Sequence, residues 1–402
     1  MNRKTLLILI PTILVMVLGI WFFFFNSSSP TVPSNTSTSS PFGSGQNATP
    51  TTNQNKTTIT GLDSSGKPVA KLFQISSTPV AGAVAIIKNG STVIRYIDRA
   101  TGHIVDVNPQ TMEKVQVSNN TLPKIYEAYF NKDGSGVVYR SLQNDGDVIT
   151  NDSLSLIAPK STSTVNSLYS VTSTLLRGDI GEMTILSNGS LVYSTNNPGA
   201  IVTSGFAGDK PIGVYSTPFT EWRITPSGVA EVYITTKAGG NADGYAYRLN
   251  TKTGALSKVL GPLNSLTTLP SPNKNAVVYS YKNGSIFNFE VLNNTTKKVL
   301  SLTPSALVEK CVWSSKNVDL LYCGVTDQLG SGEPDSWYMG ITHFSDRVWA
   351  YNTSTTFTDV LSEPKKDLGV DIDVYNPSLS PDEDYLIFMN KNDLSLWALS
   401  LK

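Results

Sequence analysis

The sequence predicts an all-β fold in which a hairpin unit is repeated around a ring, as in a β-propeller. The clearest copy of the unit spans residues 269–302. Its turn at 270–275 contains two prolines and two asparagines, and a strand rich in β-branched and aromatic residues follows at 276–281. Asn283-Gly284 then marks a tight hairpin, because both residues tolerate a positive φ. One such unit cannot bury both of its faces, whereas units repeated around an axis cover one another.

The unit recurs along the chain as a polar turn followed by a short strand with two apolar residues and an aromatic residue. Its copies begin at the following turns: Asn131, Ser187, Thr225, Ser271, Ser314 and Ser380. The four turns from Ser187 to Ser314 are 38, 46 and 43 residues apart, which is the repeat length of a four-stranded antiparallel blade. The six copies and the region 80–117 together predict seven blades, and six or eight blades stay open as alternatives.

Each end of the predicted propeller supplies a strand that can complete the ring. The last copy has three clear strands and ends in the strand 394–399, while a spare strand is predicted at 69–75. Pairing these two strands would complete the last blade and leave no exposed sheet edge. We therefore expect the ring to close through this pairing.

These repeats resemble those of a known class of propeller. The Ser-Pro-Asp or Ser-Pro-Asn turn, with the apolar and aromatic strand that follows, is similar to the WD40-like repeats of TolB-type proteins. The segments 79–83, 95–103 and 125–128 resemble uncharacterised membrane-anchored propeller proteins of bacteria. The resemblance covers most of residues 70–402. It implies the fold and no activity.

The N-terminal segment predicts attachment to a membrane. Residues 6–25 carry no charge and are long enough to span the hydrocarbon core as a helix. Arg3 and Lys4 precede them and no basic residue follows until Lys56, so the positive-inside rule places the N-terminus in the cytoplasm. A cleaved signal peptide is the alternative. The long apolar run and the lack of a small-x-small cleavage site favour an uncleaved signal anchor.

These features divide the chain into three predicted parts. Residues 1–25 form a cytoplasmic stub and a transmembrane signal anchor. Residues 26–58 consist almost entirely of Ser, Thr, Asn, Pro, Gly and Gln, which predicts a disordered stalk. Residues 59–402 form the propeller, which we expect on the extracellular or periplasmic side of the cell membrane.

Composition excludes several classes of function. The chain has 31 basic and 31 acidic residues, so it lacks the positive charge that nucleic-acid binding needs. Its two histidines, His103 and His343, are far apart in sequence, and we expect neither a metal site nor a cofactor. The sequence contains no Gly-x-Ser-x-Gly nucleophile motif, phosphate-binding glycine loop or dinucleotide fingerprint.

The region 325–348 stands out as an insertion, because it uses 24 residues where a short turn would connect two strands. Loops of this length are functional or disordered, and the aromatic residues of this one argue against disorder. We predict that it caps one face of the propeller and binds a ligand through the following residues: Glu333, Asp335, Trp337, Tyr338, His343 and Asp346. The alternative is a structural flap folded over its own blade.

Cys311 and Cys323 flank a predicted turn at 314–319. With Trp313 facing Leu321, the register places the two cysteines directly opposite each other. That brings their Cα atoms near the range of a disulfide, and an oxidising exterior favours the bond. Two buried free thiols are the alternative, because disulfides across adjacent strands are strained.

Together these predictions favour a non-enzymatic binding or scaffold module for a protein, peptide or glycan at the cell envelope. The alternative is a hydrolase or lyase with carboxylates in the central channel, for which Asp371 and Asp373 are candidates. The lack of a catalytic motif favours the binding module. A deep channel lined by two or three close carboxylates would favour the enzyme.

Overall fold

The computed structural model describes residues 60–122, 124–143, 148–159, 168–240 and 242–402, all of which belong to one compact unit. The predicted anchor and stalk lie outside the described residues. Within the described ranges, no helix is both long enough and apolar enough to cross a membrane.

Antiparallel sheets of four strands make up most of the described chain. Four of these sheets are formed by strands that follow one another in sequence. Their strands are β2 (Val80–Lys88), β3 (Ser91–Asp98), β4 (Ile104–Val107) and β5 (Lys114–Ser118); β6 (Ile125–Phe130), β7 (Gly136–Gln143), β8 (Val148–Ile157) and β9 (Ser170–Leu175); β10 (Ile180–Ile185), β11 (Leu191–Asn196), β12 (Gly199–Ser204) and β13 (Ile212–Ser216); and β21 (Cys311–Trp313), β22 (Leu320–Val325), β23 (Arg347–Asn352) and β24 (Thr358–Ser362).

A seven-stranded sheet joins two further groups of four through one long shared strand. Its strands are β14 (Trp222–Pro226), β15 (Glu231–Thr236), β16 (Asp243–Asn250), β17 (Leu256–Pro270), β18 (Ala276–Asn283), β19 (Ile286–Asn293) and β20 (Val299–Ser301). The first half of β17 pairs with β16 and the second half with β18, and the register shifts between Asn264 and Thr267. This strand therefore ends one four-stranded group and begins the next.

The remaining sheet unites the two ends of the described chain. It contains β25 (Val374–Leu379), β26 (Tyr385–Asn390), β27 (Leu396–Ser400) and, at its edge, β1 (Leu72–Ser76). Strand β1 is antiparallel to β27, with Leu72 opposite Leu399 and Phe73 opposite Ala398. The predicted pairing of the two ends is confirmed.

The first strands of successive sheets lie side by side in a closed cycle. Strand β2 contacts β6, β6 contacts β10, β10 contacts β14, β14 contacts β17, β21 contacts β25, and β25 contacts β2. The 3-10 helix Val308–Lys310 contacts both β17 and β25 and fills the remaining position. Gly82 permits the tight approach of β2 to β6, because a Cβ there would lie 2.1 Å from the carbonyl oxygen of Ala128. This arrangement is consistent with a β-propeller.

The recurring serine of the sequence pattern has a structural role in the turns. The hydroxyl of Ser271 accepts a hydrogen bond from the backbone N–H of Ala276 at 3.0 Å, and Ser380 does the same for Tyr385 at 3.0 Å. Both serines are buried. A short side chain that satisfies a buried backbone donor is favoured there, which explains why the turn recurs.

The hydrophobic core lies between neighbouring sheets. Phe73 of β1 and Ile387 of β26 pack with Ile94 of β3, which joins the closing sheet to the next one. Phe289 and Tyr351 make an equivalent contact, with ring centroids 5.4 Å apart. Two short helices, Asp335–Tyr338 and Pro364–Asp367, lie in the connections between strands.

Candidate functional site

The insertion packs onto the protein, and half of its predicted binding residues are buried. Trp337, Glu333 and Asp346 are each at most 2% exposed. Trp337 packs with Phe287 and Phe344, and its Nε1 donates to both carboxylate oxygens of Asp373 at 3.0 Å. This burial removes the three predicted residues from the surface that a ligand can reach.

The insertion reaches from its own sheet to other sheets of the ring. Asp335 accepts a hydrogen bond from the backbone N–H of Gly240 at 2.6 Å. Lys282 donates to the carbonyl oxygens of Ser331 at 2.5 Å and Gly240 at 2.9 Å. These contacts join the insertion to the seven-stranded sheet. Tyr338 and Asp335 stay partly exposed, and His343 is exposed.

Charged residues of several first strands converge on the axis of the ring. Glu127 is the third residue of β6, Glu182 the third of β10, and Arg223 the second of β14. All three influence Tyr375, the second residue of β25, whose pKa is raised to about 12 by burial first and then by the charge of Glu127. We call the following residues the axial cluster: Glu127, Arg140, Glu182, Arg223, Glu309, Tyr338 and Tyr375.

Glu309 and Arg223 form the centre of this cluster. A guanidinium nitrogen of Arg223 lies 3.9 Å from Glu309 Oε1, and its Cζ lies 5.6 Å from the centroid of the Tyr338 ring. The Tyr338 hydroxyl donates to the same Oε1. Glu309 Oε2 is buried and has no hydrogen-bond partner among the described residues. The Arg223 side chain is 38% exposed, so water reaches the cluster.

Glu127 and Arg140 form a second ion pair in the cluster. Arg140 Nη1 lies 3.3 Å from Glu127 Oε2, and Arg140 Nε donates to Asn151 Oδ1 at 3.1 Å. Arg140 also donates to the carbonyl oxygen of Gly181, at the start of β10. The arginine thereby connects two neighbouring sheets and fixes the position of Glu127.

Glu182 and Tyr338 have perturbed pKa values in the axial cluster. Burial raises the pKa of the Glu182 carboxyl group, Arg223 acts in the opposite direction, and Glu127 adds to the increase. The phenol of Tyr338 also has a pKa well above its ordinary value, because of burial and then the charge of Glu309. At neutral pH the tyrosines are therefore hydrogen-bond donors, and the raised pKa makes Glu182 a candidate for proton exchange.

Tyr338 is the one member of the axial cluster that the sequence predicted as a binding residue, although the first strands carry a signal for others. Each of β6, β10 and β14 has a charged residue at its second or third position, within otherwise mostly apolar strands. The acid pair considered from the sequence lies elsewhere. Asp371 is exposed and pairs with Lys365 at 2.6 Å, and Asp373 is fully buried.

The structure places the two cysteines where the register predicts. Cys311 pairs directly with Cys323, and Trp313 with Leu321. Both cysteines are buried, their Cα atoms are 4.1 Å apart, and a disulfide joins them. The bond ties β21 to β22 directly beside Lys310.

No protein-family model and no curated protein matches this chain. Solved structures do match. An oligogalacturonate lyase in complex with manganese is similar with a TM-score of 0.56 and 11% identity, over 84% of this chain and 94% of that one. An oligogalacturonate lyase from Vibrio parahaemolyticus is similar with a TM-score of 0.55 and 9% identity, over 82% and 93%.

Similarity at this level of identity concerns the fold alone. The chain is an all-β protein with several four-stranded antiparallel sheets, and its structural similarity to these lyases supports a β-propeller. The more specific resemblance to TolB-type repeats stays a prediction.

Proposed function

We propose that this protein is a seven-bladed propeller that binds a polypeptide or glycan outside the cytoplasm without acting as an enzyme, and that residues 6–25 anchor it to the membrane. The axial cluster is the proposed binding site. The blade count rests on the seven groups of four strands among the described residues, with β17 assigned to two of them.

The unpartnered oxygen of Glu309 is the observation that carries the proposal. A buried carboxylate oxygen that lacks a donor is costly. A ligand that donates an N–H or O–H group to Glu309 Oε2 would remove this cost. Arg223, which is water-accessible and 3.9 Å from the other carboxylate oxygen, can donate to the same ligand.

The pairing of the carboxylates favours binding over catalysis. Glu127 is paired with Arg140 and Glu309 with Arg223, and these contacts fix the orientation of both side chains. General acid–base catalysis instead needs a carboxyl group that changes its protonation near the working pH. Rigid charged groups that are already oriented suit recognition of a polar ligand.

A lyase is the second candidate, and Glu182 is the observation that favours it. Its pKa is raised, and the structural relatives are oligogalacturonate lyases. In such a reaction Glu182 would accept or donate the proton, while Arg140 and Arg223 would neutralise an acidic sugar. The described residues contain no group of three or more His, Cys, Asp or Glu able to hold a metal ion. These residues therefore do not fit a manganese ion, and we derive no step through a metal.

Ligand capture with a matched pair of variants tests the binding site. The full chain, solubilised in detergent and immobilised, is incubated with an extract of the cell envelope, and bound protein and glycan are identified by mass spectrometry. Glu309→Gln keeps the volume of the side chain and removes its charge, so we expect capture to fall roughly tenfold or more. Glu221→Gln makes the same change at an exposed ion pair with Lys237 and should capture as wild type does. Equal capture by all three proteins would place the ligand away from the axial cluster.

Two further measurements separate the alternatives. Release of unsaturated products from oligogalacturonate by the wild type, abolished in Glu182→Gln, would identify a lyase instead of a binding module.

Protease added to intact cells or spheroplasts should cleave the propeller from a membrane-bound remnant if residues 6–25 are an anchor. A mature soluble chain that starts near Ser27 would contradict the anchor.

A further inference from the structure

A second group of charged residues, independent of the proposed function, lies beside the insertion and is closed to water. Lys310 Nζ is 2.6 Å from Asp346 Oδ2 and 2.5 Å from Asp373 Oδ1. All three residues are at most 1% exposed. Aromatic rings cover the amine: the ring centroids of Phe344 and Trp337 lie 4.5 Å and 5.3 Å from Nζ. We call these five residues the sealed cluster.

The two carboxyl groups of the sealed cluster have different surroundings. Asp373 accepts hydrogen bonds from Lys310, from Trp337 Nε1 and from the backbone N–H of Phe344. Those donors stabilise a negative charge on it. Asp346 accepts from Lys310 and from the backbone N–H of Val374, both through Oδ2.

The other oxygen of Asp346 indicates that this group is the neutral acid. Asp346 Oδ1 is buried and has no partner among the described residues. Burial raises the pKa of Asp346, against the effect of Lys310. An ionised carboxylate with an unsatisfied oxygen would be strongly disfavoured in such a place. A neutral carboxyl group, unlike a carboxylate, is an electrophile that an amine can attack.

We propose that Lys310 and Asp346 become joined by an intramolecular amide bond, with Asp373 as the base that activates the amine. Asp373 takes one proton from the Lys310 ammonium group, and the neutral Nζ attacks Cγ of the protonated Asp346. The C–N bond forms and the bond from Cγ to its hydroxyl group breaks. The second proton lost by nitrogen leaves with that hydroxyl as water, and Asp373 ends as a neutral acid. No oxidant, reductant or cofactor is needed.

The geometry supplies what such a reaction requires. The chain holds amine and carboxyl group in contact, which replaces a bimolecular encounter by a step within one molecule. The base is already hydrogen-bonded to the nucleophile, and the aromatic cover excludes water that would compete as a nucleophile or reverse the reaction. The amide would close a loop between residues 36 apart in sequence. It would join the 3-10 helix before β21 to the end of the insertion.

Intact mass and peptide mapping of the full chain, purified in detergent and then denatured and reduced, test this proposal. We expect the wild type to be lighter than its sequence by one water. A tryptic digest should contain a branched peptide that links Lys310 to Asp346, with no cleavage after Lys310. Lys310→Met, which removes the nucleophile, and Asp373→Asn, which removes the base but keeps its size, should both have the full mass.

Each contrary result overturns a defined part of the proposal. A wild-type chain of full mass, cleaved after Lys310, would mean that the sealed cluster is an ion-paired group without a covalent bond. A branch that ends on Asp373 would reverse the assignment of electrophile and base. Loss of water in Asp373→Asn would remove the role of the base. The wild-type result decides the main question even where a variant fails to fold.

Discussion

Glu309 and Lys310 are neighbours in sequence, yet they belong to two charged clusters that differ in their access to water. Glu309 lies in the axial cluster, where the side chain of Arg223 is 38% exposed. Lys310 lies in the sealed cluster, where it and the two aspartates are at most 1% exposed. Consecutive residues of a 3-10 helix point about 120° apart, so one turn serves both sites.

Residue type alone therefore does not distinguish the proposed binding site from a structural cluster. Both clusters combine carboxylates, cations and aromatic rings. In the axial cluster a ligand can replace water around Arg223 and Glu309. In the sealed cluster every described partner comes from the chain itself, so removing one member leaves the others without compensation. Four predictions follow from this difference, and they concern the free energy of unfolding.

Lys310→Met should have the largest effect. The substitution removes the amine that holds Asp346 and Asp373 together, either as an ion pair or through the proposed amide. Loss of a buried ion pair alone costs about 3–5 kcal/mol. Urea unfolding followed by tryptophan fluorescence measures the loss. Lys237→Met, at an exposed pair with Glu221, is the matched control and should cost less than about 1 kcal/mol. Equal losses in the two variants would mean that the sealed cluster is not closed to solvent.

Trp337→Phe should have a smaller effect on the same cluster. The ring stays large and apolar, but the Nε1 donor to Asp373 disappears. Removing a donor from a buried acceptor costs about 1–3 kcal/mol, so the free energy of unfolding should fall by roughly that amount. Tyr338→Phe, one residue further along, removes a hydroxyl group that points to the axial cluster and serves as the comparison. A larger loss in Tyr338→Phe than in Trp337→Phe would mean that the axial cluster, too, is closed to water.

Glu182 should make stability depend on pH. Its pKa is raised in the folded protein above the ordinary value of 4.5, so the folded state holds the proton more tightly than the unfolded state. The stabilisation is complete below pH 4.5 and is lost as the pH rises through the folded pKa. Thermal unfolding between pH 4 and pH 8 should therefore show a decline that Glu182→Gln reduces. Glu221→Gln should retain the wild-type decline, and an identical decline in all three proteins would contradict the prediction.

Glu309→Gln should have the smallest effect on stability. Its contact with Arg223 is long, at 3.9 Å, and a glutamine amide can still accept the hydrogen bond from the Tyr338 hydroxyl, so we expect a loss of about 1 kcal/mol. A shift in the urea midpoint comparable to that of Lys310→Met would show that Glu309 has a structural role. A small shift in the urea midpoint, together with the loss of ligand capture, would show that Glu309 serves binding and not stability.

Local patterns in the sequence were sufficient to predict the sheets. The serine turns, such as that at Ser271, depend on hydrogen bonds within six residues. The pairing of Cys311 with Cys323 depends on the register of a single hairpin. The pairing of β1 with β27 is long-range, but it follows from counting strands and from the need to cover two edges.

The sites depend on contacts that no local pattern contains. The axial cluster exists because residues from several sheets meet at the axis, as Glu127, Glu182 and Arg223 do around Tyr375. Trp337 resembles an exposed interface residue in the sequence, yet its partner Asp373 is 36 residues away. Where such partners lie is decided by the packing of whole sheets, and a single sequence does not reveal it.

The pairing of β1 with β27 also has a consequence for how the protein is made. Strand β1 is the first described strand to leave the ribosome, and β27 is the last. Until β27 is synthesised, β1 has no partner and β26 presents an open edge, a state that invites pairing with other chains. The ring can therefore close only after translation of the propeller has ended, so the unfinished chain needs a binding partner that covers its open edges during synthesis.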